Sequence, residues 1–239
     1  MHIVNSNTQL ANEYNKGCYF RGTQNYEVEG NISSLLNNND TDTEITGGTF
    51  HFAQMFSGDT HLISAENLKV VSTILYKSSF NGTFRSCTNL QKAPDLSIPT
   101  TLDQETYSSM FEACTSMSQP PTVLSATTAQ LSSYKRMFCM NRSNTVTTQM
   151  TKSPIMIGNF GSENSVAKDY EVFKGNGSLT EVKCYWTNTS GSFSGLASWM
   201  TNVSSSGTFY KRSAQTFSLN SANGIPSGWD IVNDDTTGN

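Results

Sequence analysis

A phrase repeats along this chain at a nearly fixed interval, and that period constrains the fold more than any local propensity does. An aromatic residue stands four positions before a phenylalanine, and an apolar residue follows six later. The phrase reads Phe52, Phe56, Leu62, then Phe80, Phe84, Leu90, then Tyr107, Phe111, Met117. Two looser copies follow. After Tyr134 and Phe138 the next apolar residue is delayed to Val146, and in Tyr170, Phe173, Leu179 the aromatic pair is one residue closer. The anchor phenylalanines lie 28, 27, 27 and 35 residues apart. Self-similarity at such a period marks an architecture of stacked units. One unit cannot bury its own aromatic face, whereas stacked units bury it continuously. An elongated stack serves more often as a binding or building surface than as a reaction vessel.

Composition narrows the classes. The 239 residues are 36% hydrophobic and 14% charged, both below globular norms, and Ser, Thr and Asn make up the difference. Thirteen Phe, nine Tyr and three Trp are too many apolar rings for a disordered chain. The net charge of −4 offers no basic footprint, so nucleic acid is not an expected partner. No run approaches the ~18 apolar residues of a membrane helix, and no membrane insertion is expected. The segment from Met1 to Asn5 has neither a charged n-region nor an apolar h-region, so no secretory signal is visible.

The cysteines are Cys18, Cys87, Cys114, Cys139 and Cys184, an odd count without a C-x-x-C pair. Cys87 and Cys114 each sit three residues after an anchor phenylalanine. Small buried thiols filling a repeat slot are expected, rather than a disulfide framework.

Within the best copy, residues 99–124, the first half reads as a helix. Thr101 and Gln104 fit a capping box, with Asp103 and Glu105 in the first turn. Leu102, Thr106 and Met110 would share one face beside Tyr107 and Phe111. Thr127 and Gln130 offer the same start one repeat later. The second half reads as extended. Pro94, between Leu90, Lys92 and Leu96, argues against a central antiparallel strand and for one short strand per unit, paired in parallel.

The expected fold is therefore an α/β repeat, a solenoid of short parallel strands and short helices. Its repeats, about five, span 50–189, between non-repeating caps at 1–49 and 190–239. The predicted repeat core is Phe56, Leu62, Phe84, Leu90, Leu96, Tyr107, Phe111, Met117, Tyr134, Phe138, Tyr170, Phe173 and Leu179. The 35-residue interval places an insertion near 153–168, with Ile155, Met156, Ile157 and Phe160. The tract from Asn37 to Glu44 reads as an exposed loop. Residues 206–211 and 224–229 read as two apolar segments bounded by turns.

Tyr107-Ser-Ser-Met-Phe-Glu-Ala-Cys-Thr-Ser-Met117 and Phe84-Arg-Ser-Cys-Thr-Asn-Leu-Gln-Lys-Ala-Pro-Asp-Leu96 resemble the repeat phrase of the BspA-like leucine-rich repeat family, found in Bacteroidetes surface and phage-borne proteins. Residues 206–209, 223–229 and 30–36 resemble that family's closing and lead-in phrases, so the likeness touches nearly the whole chain. The copies at Phe56, Phe138 and Phe173 depart from it, with Asp59, Asn141 and Asn176 in the cysteine slot. The resemblance implies a curved leucine-rich-repeat solenoid with a role in attachment or surface display, and it supplies no catalytic site. With no export signal visible, the expected setting is a tailed phage particle: a tail-fibre, tail-tip or head-decoration protein. Its partners would then be other virion proteins and a host-surface glycan or protein, with a second copy of the chain as a further candidate. The alternative is a bacterial cell-surface adhesin.

His2, His51 and His61 lack zinc-site spacing, and packed or surface histidines are expected. Asp40, Asp42 and Glu44 alternate as carboxylates but lack the glycine and spacing of a calcium loop, so a solvated turn is expected. Asp234 and Asp235 read as plain tail charges. Gly191-Ser-Phe-Ser-Gly195 has the wrong register for a nucleophile elbow, because its central residue is Phe193. Neither a Walker loop nor a dinucleotide fingerprint occurs, so no cofactor is expected. A glycosidase carboxylate pair needs no local motif and stays open. Trp186, Trp199 and Trp229, with Tyr185 and Tyr210, are expected to fill the last repeat and its cap, with sugar stacking or an oligomer interface as the alternative.

Overall fold

In the computed structural model the described residues are 20–37, 44–45, 47–159, 170–187, 196, 198–219 and 224–237. Ten strands and one short helix occur among them. The strands are β1 (Tyr26–Asn31), β2 (Leu62–Lys69), β3 (Ile74–Leu75), β4 (Thr101–Leu102), β5 (Val123–Leu124), β6 (Thr128–Ala129), β7 (Lys152–Asn159), β8 (Glu181–Thr187), β9 (Gly207–Lys211) and β10 (Trp229–Asn233); the helix is α1 (Ser34–Asn37). They form sheets ordered β1-β2, β3-β4-β6 and β10-β9-β8-β7-β5, none closed into a barrel. Every pairing among the described residues is parallel. The architecture is thus mostly parallel strand with very little helix.

The long segments between strands are runs of turns with a four-residue beat. A residue with positive φ recurs at every fourth position: Ser78, Gly82 and Ser86, then Glu105, Ser109 and Ala113. Between these positions the backbone N–H groups alternate in direction. Ser78, Phe80, Gly82, Phe84 and Ser86 donate to the carbonyls of Gln104, Thr106, Ser108, Met110 and Glu112 in the next segment. The intervening Ser79, Asn81, Thr83 and Arg85 donate three residues back, within their own segment. Both sets of donors are satisfied, as a buried backbone requires.

This geometry corrects the expected helices at 101–113 and 127 onward. Thr101 and Leu102 are strand β4, Thr128 and Ala129 are strand β6, and residues 104–113 are turns. A right-handed helix cannot continue through a left-handed residue every fourth position. Glu105, Tyr107, Ser109, Phe111 and Ala113 send their N–H groups to Leu131, Ser133, Lys135, Met137 and Cys139 instead of down a helix axis. A four-residue turn period and a 3.6-residue helix period both place i and i+4 side chains together, so the apolar spacing does not distinguish them.

The turn beat stacks the rings. Phe20, Phe56, Phe84, Phe111, Phe138, Phe173 and Trp199 follow one another with centroids 5.8, 5.4, 5.5, 5.6, 5.6 and 6.2 Å apart. From Phe56 to Phe173 the planes are within 10° of parallel. A second column runs Phe52, Phe80, Tyr107, Tyr134 and Trp186. All thirteen residues of the predicted repeat core are buried in one hydrophobic cluster. By hydrogen-bond register the Tyr170 carbonyl takes the place of those of Lys135, Ser108 and Asn81. Tyr170 therefore stands one position past the first-aromatic slot, and Trp186, reaching in from β8, packs on Tyr134.

The extra chain between Phe138 and Phe173 does not begin as a loop at 153. The donor Ser116, bonded to Thr88 O, lies five residues after Phe111; its counterpart Gln149, bonded to Thr115 O, lies eleven after Phe138. Six of the eight added residues enter before Gln149, where Asn141 Oδ1 accepts from the N–H groups of Ser143 and Asn144. Residues 153–159 belong to strand β7, with Met156 fully buried. The rest of the expected insertion, including Phe160, lies outside the described residues.

Both flanking regions join the same ladder. Phe20, Tyr26 and Ile32 donate to Met55, His61 and Lys69, and β9 and β10 continue the parallel sheet beyond β8.

Candidate binding groove

On the strand side an open groove of about 530 Å3 crosses several successive segments. Its apolar lining includes Ala93, Pro94, Pro120, Pro121 and Ile155, and its polar lining includes Ser118, Gln119, Thr122 and Thr151. Charged side chains frame it: Glu66 from β2, Asp95, Lys152 from β7, and Glu181 and Lys183 from β8. Parallel pairing brings them together. Lys92 bridges both Ser64 and Gln119, Lys152 pairs with Glu181, and Ile155 pairs with Lys183.

Lys92 Nζ lies 2.6 Å from Glu66 Oε1. At the other end, Glu181 serves two ammonium groups, Lys152 at 3.5 Å and Lys183 at 3.9 Å. Lys183 also stands over the Tyr210 ring, 5.4 Å from its centroid. Asp95 accepts from the Ser97 N–H and hydroxyl at 3.0 and 2.9 Å. This cluster escapes sequence reasoning because Lys152 lies some thirty positions from Glu181 and Lys183. Only the strand register reveals Lys152, Glu181 and Lys183 as neighbours.

The histidine and carboxylate side chains have structural places. His51 is buried, with Nδ1 3.2 Å from Ser79 Oγ, and burial pushes its pKa down against the opposing effect of a ring hydrogen bond to the Gly47 backbone carbonyl. Asp59 is buried and accepts from Gly22 N–H, the Tyr26 hydroxyl and His61 N–H at 2.8, 2.7 and 2.8 Å. Burial works to raise the Asp59 pKa, and those donors outweigh it, leaving the carboxyl below its ordinary value. Among the described residues no group of His, Cys, Asp and Glu is arranged to hold a metal ion.

Glu44 is not simply solvated: it accepts from the hydroxyls of Ser72 and Thr73 at 3.0 and 2.6 Å. Asp40 and Asp42 lie outside the described residues. Asp234 and Asp235 are not plain tail charges either. Asp234 accepts from the Tyr185, Thr236 and Thr237 hydroxyls, and Asp235 from the Ser213 N–H and hydroxyl. Together they fasten the end of β10 to the rest of the sheet. Trp186, Trp199 and Trp229 are buried, as is Tyr185, while Tyr210 is half-buried beside the groove. Cys87, Cys114, Cys139 and Cys184 are all buried free thiols, and Cys18 lies outside the described residues.

No helix among the described residues is long and apolar enough to cross a membrane. No protein-family model matches the chain, nor does any curated protein or solved structure.

Proposed function

We propose that this chain is a leucine-rich-repeat solenoid of the BspA-like type that works as a non-enzymatic attachment protein, and that its binding surface is the groove on the strand side. One observation carries the reading: the ring column from Phe20 to Trp199 is continuous, and from Phe20 to Phe173 it is matched by hydrogen bonds passed from segment to segment in one register. An interior organised this way leaves the strand face free to present polar side chains from several units to a partner. In this reading the chain works in a tailed bacteriophage particle, as a tail-fibre, tail-tip or head-decoration component, a setting supported by the resemblance of its repeat phrase to that of phage-borne proteins.

Mass spectrometry of purified particles tests the placement. The chain is expected among the structural proteins at a fixed copy number. Its absence from particles overturns the placement, and its recovery on intact bacteria would assign it to cell-surface adhesion instead.

A further inference from the structure

Two carboxylates in the turn segments are matched to very different numbers of cations. By hydrogen-bond register Arg85, Glu112, Cys139 and Lys174 stand in one column, and Arg136 and Glu171 in another. Glu112 is paired with Arg85 at 3.4 Å. Glu171 meets three cations: Lys174 at 2.5 Å, Arg136 at 2.6 Å and Arg142 at 3.6 Å. The Glu171 side chain is only 4% exposed. Burial works to raise its pKa, and the bonds from Lys174 and Arg136 outweigh that effect, so the carboxyl stays ionised. Cys139, beside them in the column, is a buried free thiol pushed up to about 12 and so adds no charge. Three cations against one carboxylate leave two positive charges in excess, on a chain whose net charge is −4.

The third cation is the one that the repeat does not supply. Arg142 stands on the chain added before Gln149. Its bend is pinned by Asn141 Oδ1, which accepts from the Ser143 and Asn144 N–H groups, and by Asn202 Nδ2, which donates to the Ser143 carbonyl at 3.3 Å. The Arg142 side chain is 55% exposed. Arg136 and Arg142 both turn Nε toward Glu171, and their Nη groups make no hydrogen bond to the described residues. Like charges gathered this closely repel one another unless an anion sits among them.

We propose that Arg136, Arg142 and Lys174 form a binding site for a phosphate monoester carried on a sugar. Such a group holds close to two negative charges near neutral pH, which matches the excess; a carboxylate or a sulfate ester holds one. The unused Nη forks of Arg136 and Arg142 suit its oxygens, because a guanidinium offers paired donors in a fixed plane. Lys174 adds a compact charge, and Glu171 positions all three cations. Exposed Ser143, Asn144 and Thr145, next to Arg142, offer hydroxyls and an amide to the sugar. None of these residues lines the groove on the strand side, so the site stands independently of that surface.

The test is calorimetric titration of the purified full chain, at low salt, with glucose 6-phosphate, glucose 6-sulfate and phosphoserine. Glucose 6-phosphate is expected to bind at least about fivefold more tightly than the sulfate near pH 7.5, and the gap should close near pH 5, where the phosphate takes up a proton. Arg142→Gln should weaken phosphate binding at least about fivefold, and Arg142→Lys, which keeps the charge without the fork, should weaken it less. Lys77→Gln, at an exposed lysine outside the cluster, leaves binding unchanged. Matched thermal unfolding of all variants confirms an intact fold. No binding of glucose 6-phosphate, equal binding of the sulfate near pH 7.5, tighter binding of phosphoserine, full affinity in Arg142→Gln or equal loss in Lys77→Gln overturns the assignment. The first three outcomes are read on the unaltered chain and do not depend on any variant folding.

Discussion

The Cys114 thiol donates a 3.0 Å hydrogen bond to the carbonyl of Phe84, thirty residues earlier, and the Cys87 thiol makes the same bond to Phe56. The cysteine slot thus ties each unit to the anchor of the preceding one. Where Asp59 occupies the slot, its carboxylate accepts bonds instead, from Gly22 and Tyr26 in the preceding strand region.

Burial pushes Cys87, Cys139 and Cys184 up to about 12, and Cys114 well above its ordinary value. The thiolate is the reactive form, so these groups should be inert in the folded chain. In a Cys18→Ser variant, a disulfide reagent at pH 8 is expected to label no thiol until denaturant is added, then four. Rapid labelling of the native protein would contradict the placement of these side chains.

Phe111 lies between Phe84 and Phe138 at the centre of the ring column and is fully buried. Its truncation to alanine removes transfer free energy and leaves a cavity that its stacked neighbours cannot close. A loss of about 3–5 kcal/mol in urea unfolding is expected. Exposed Ile98, replaced by alanine, should cost less than about 0.5 kcal/mol.

Gly82 and Gly175 both have positive φ, +62° and +79°. A Cβ at Gly82 meets only side-chain atoms, the nearest at 3.4 Å, so Gly82→Ala should cost about 1–2 kcal/mol from backbone strain alone. At Gly175 the Cβ would fall 2.2 Å from the Asn141 carbonyl oxygen. Gly175→Ala must also displace that backbone and is expected to cost at least twice as much, measured by chemical denaturation.

The Asp59 carboxyl titrates lower in the folded chain than in the unfolded one. The unfolded state then binds more protons through that window, so stability rises with pH across it. The contribution is complete above about pH 4, the unfolded carboxyl's range, and is lost as pH falls through the lower folded value. Thermal unfolding between pH 2 and 5 should lose part of its pH dependence in Asp59→Asn, and an unchanged slope would count against the buried carboxylate.

The ring period was legible in the sequence because Phe84, Phe111 and Phe138 must recur to meet one another. The parallel pairing was legible through Pro94, which no central antiparallel strand would hold. Helix and turn were not separable, since Tyr107 and Phe111 satisfy either period and the positive φ of Glu105 or Ser109 leaves no mark in residue type. The extra chain before Gln149 was misplaced because Met156 and its neighbours read as inserted apolar residues until their register with β8 is known. The groove was invisible for the same reason: Lys152 and Lys183 are neighbours only after folding. Asp234 and Asp235 looked like tail charges because their donors, Tyr185 and Ser213, lie 49 and 22 residues away.

The order of rings in the column is tested most directly by double-mutant cycles with Phe→Leu substitutions, read by urea unfolding. Phe84 and Phe111, with centroids 5.5 Å apart and planes 2° from parallel, should show a coupling of about 0.5–1.5 kcal/mol. Phe84 and Phe173, separated by Phe111 and Phe138, should be additive within about 0.5 kcal/mol. Additivity of the first pair, or equal coupling of the second, would contradict a single ordered column of rings.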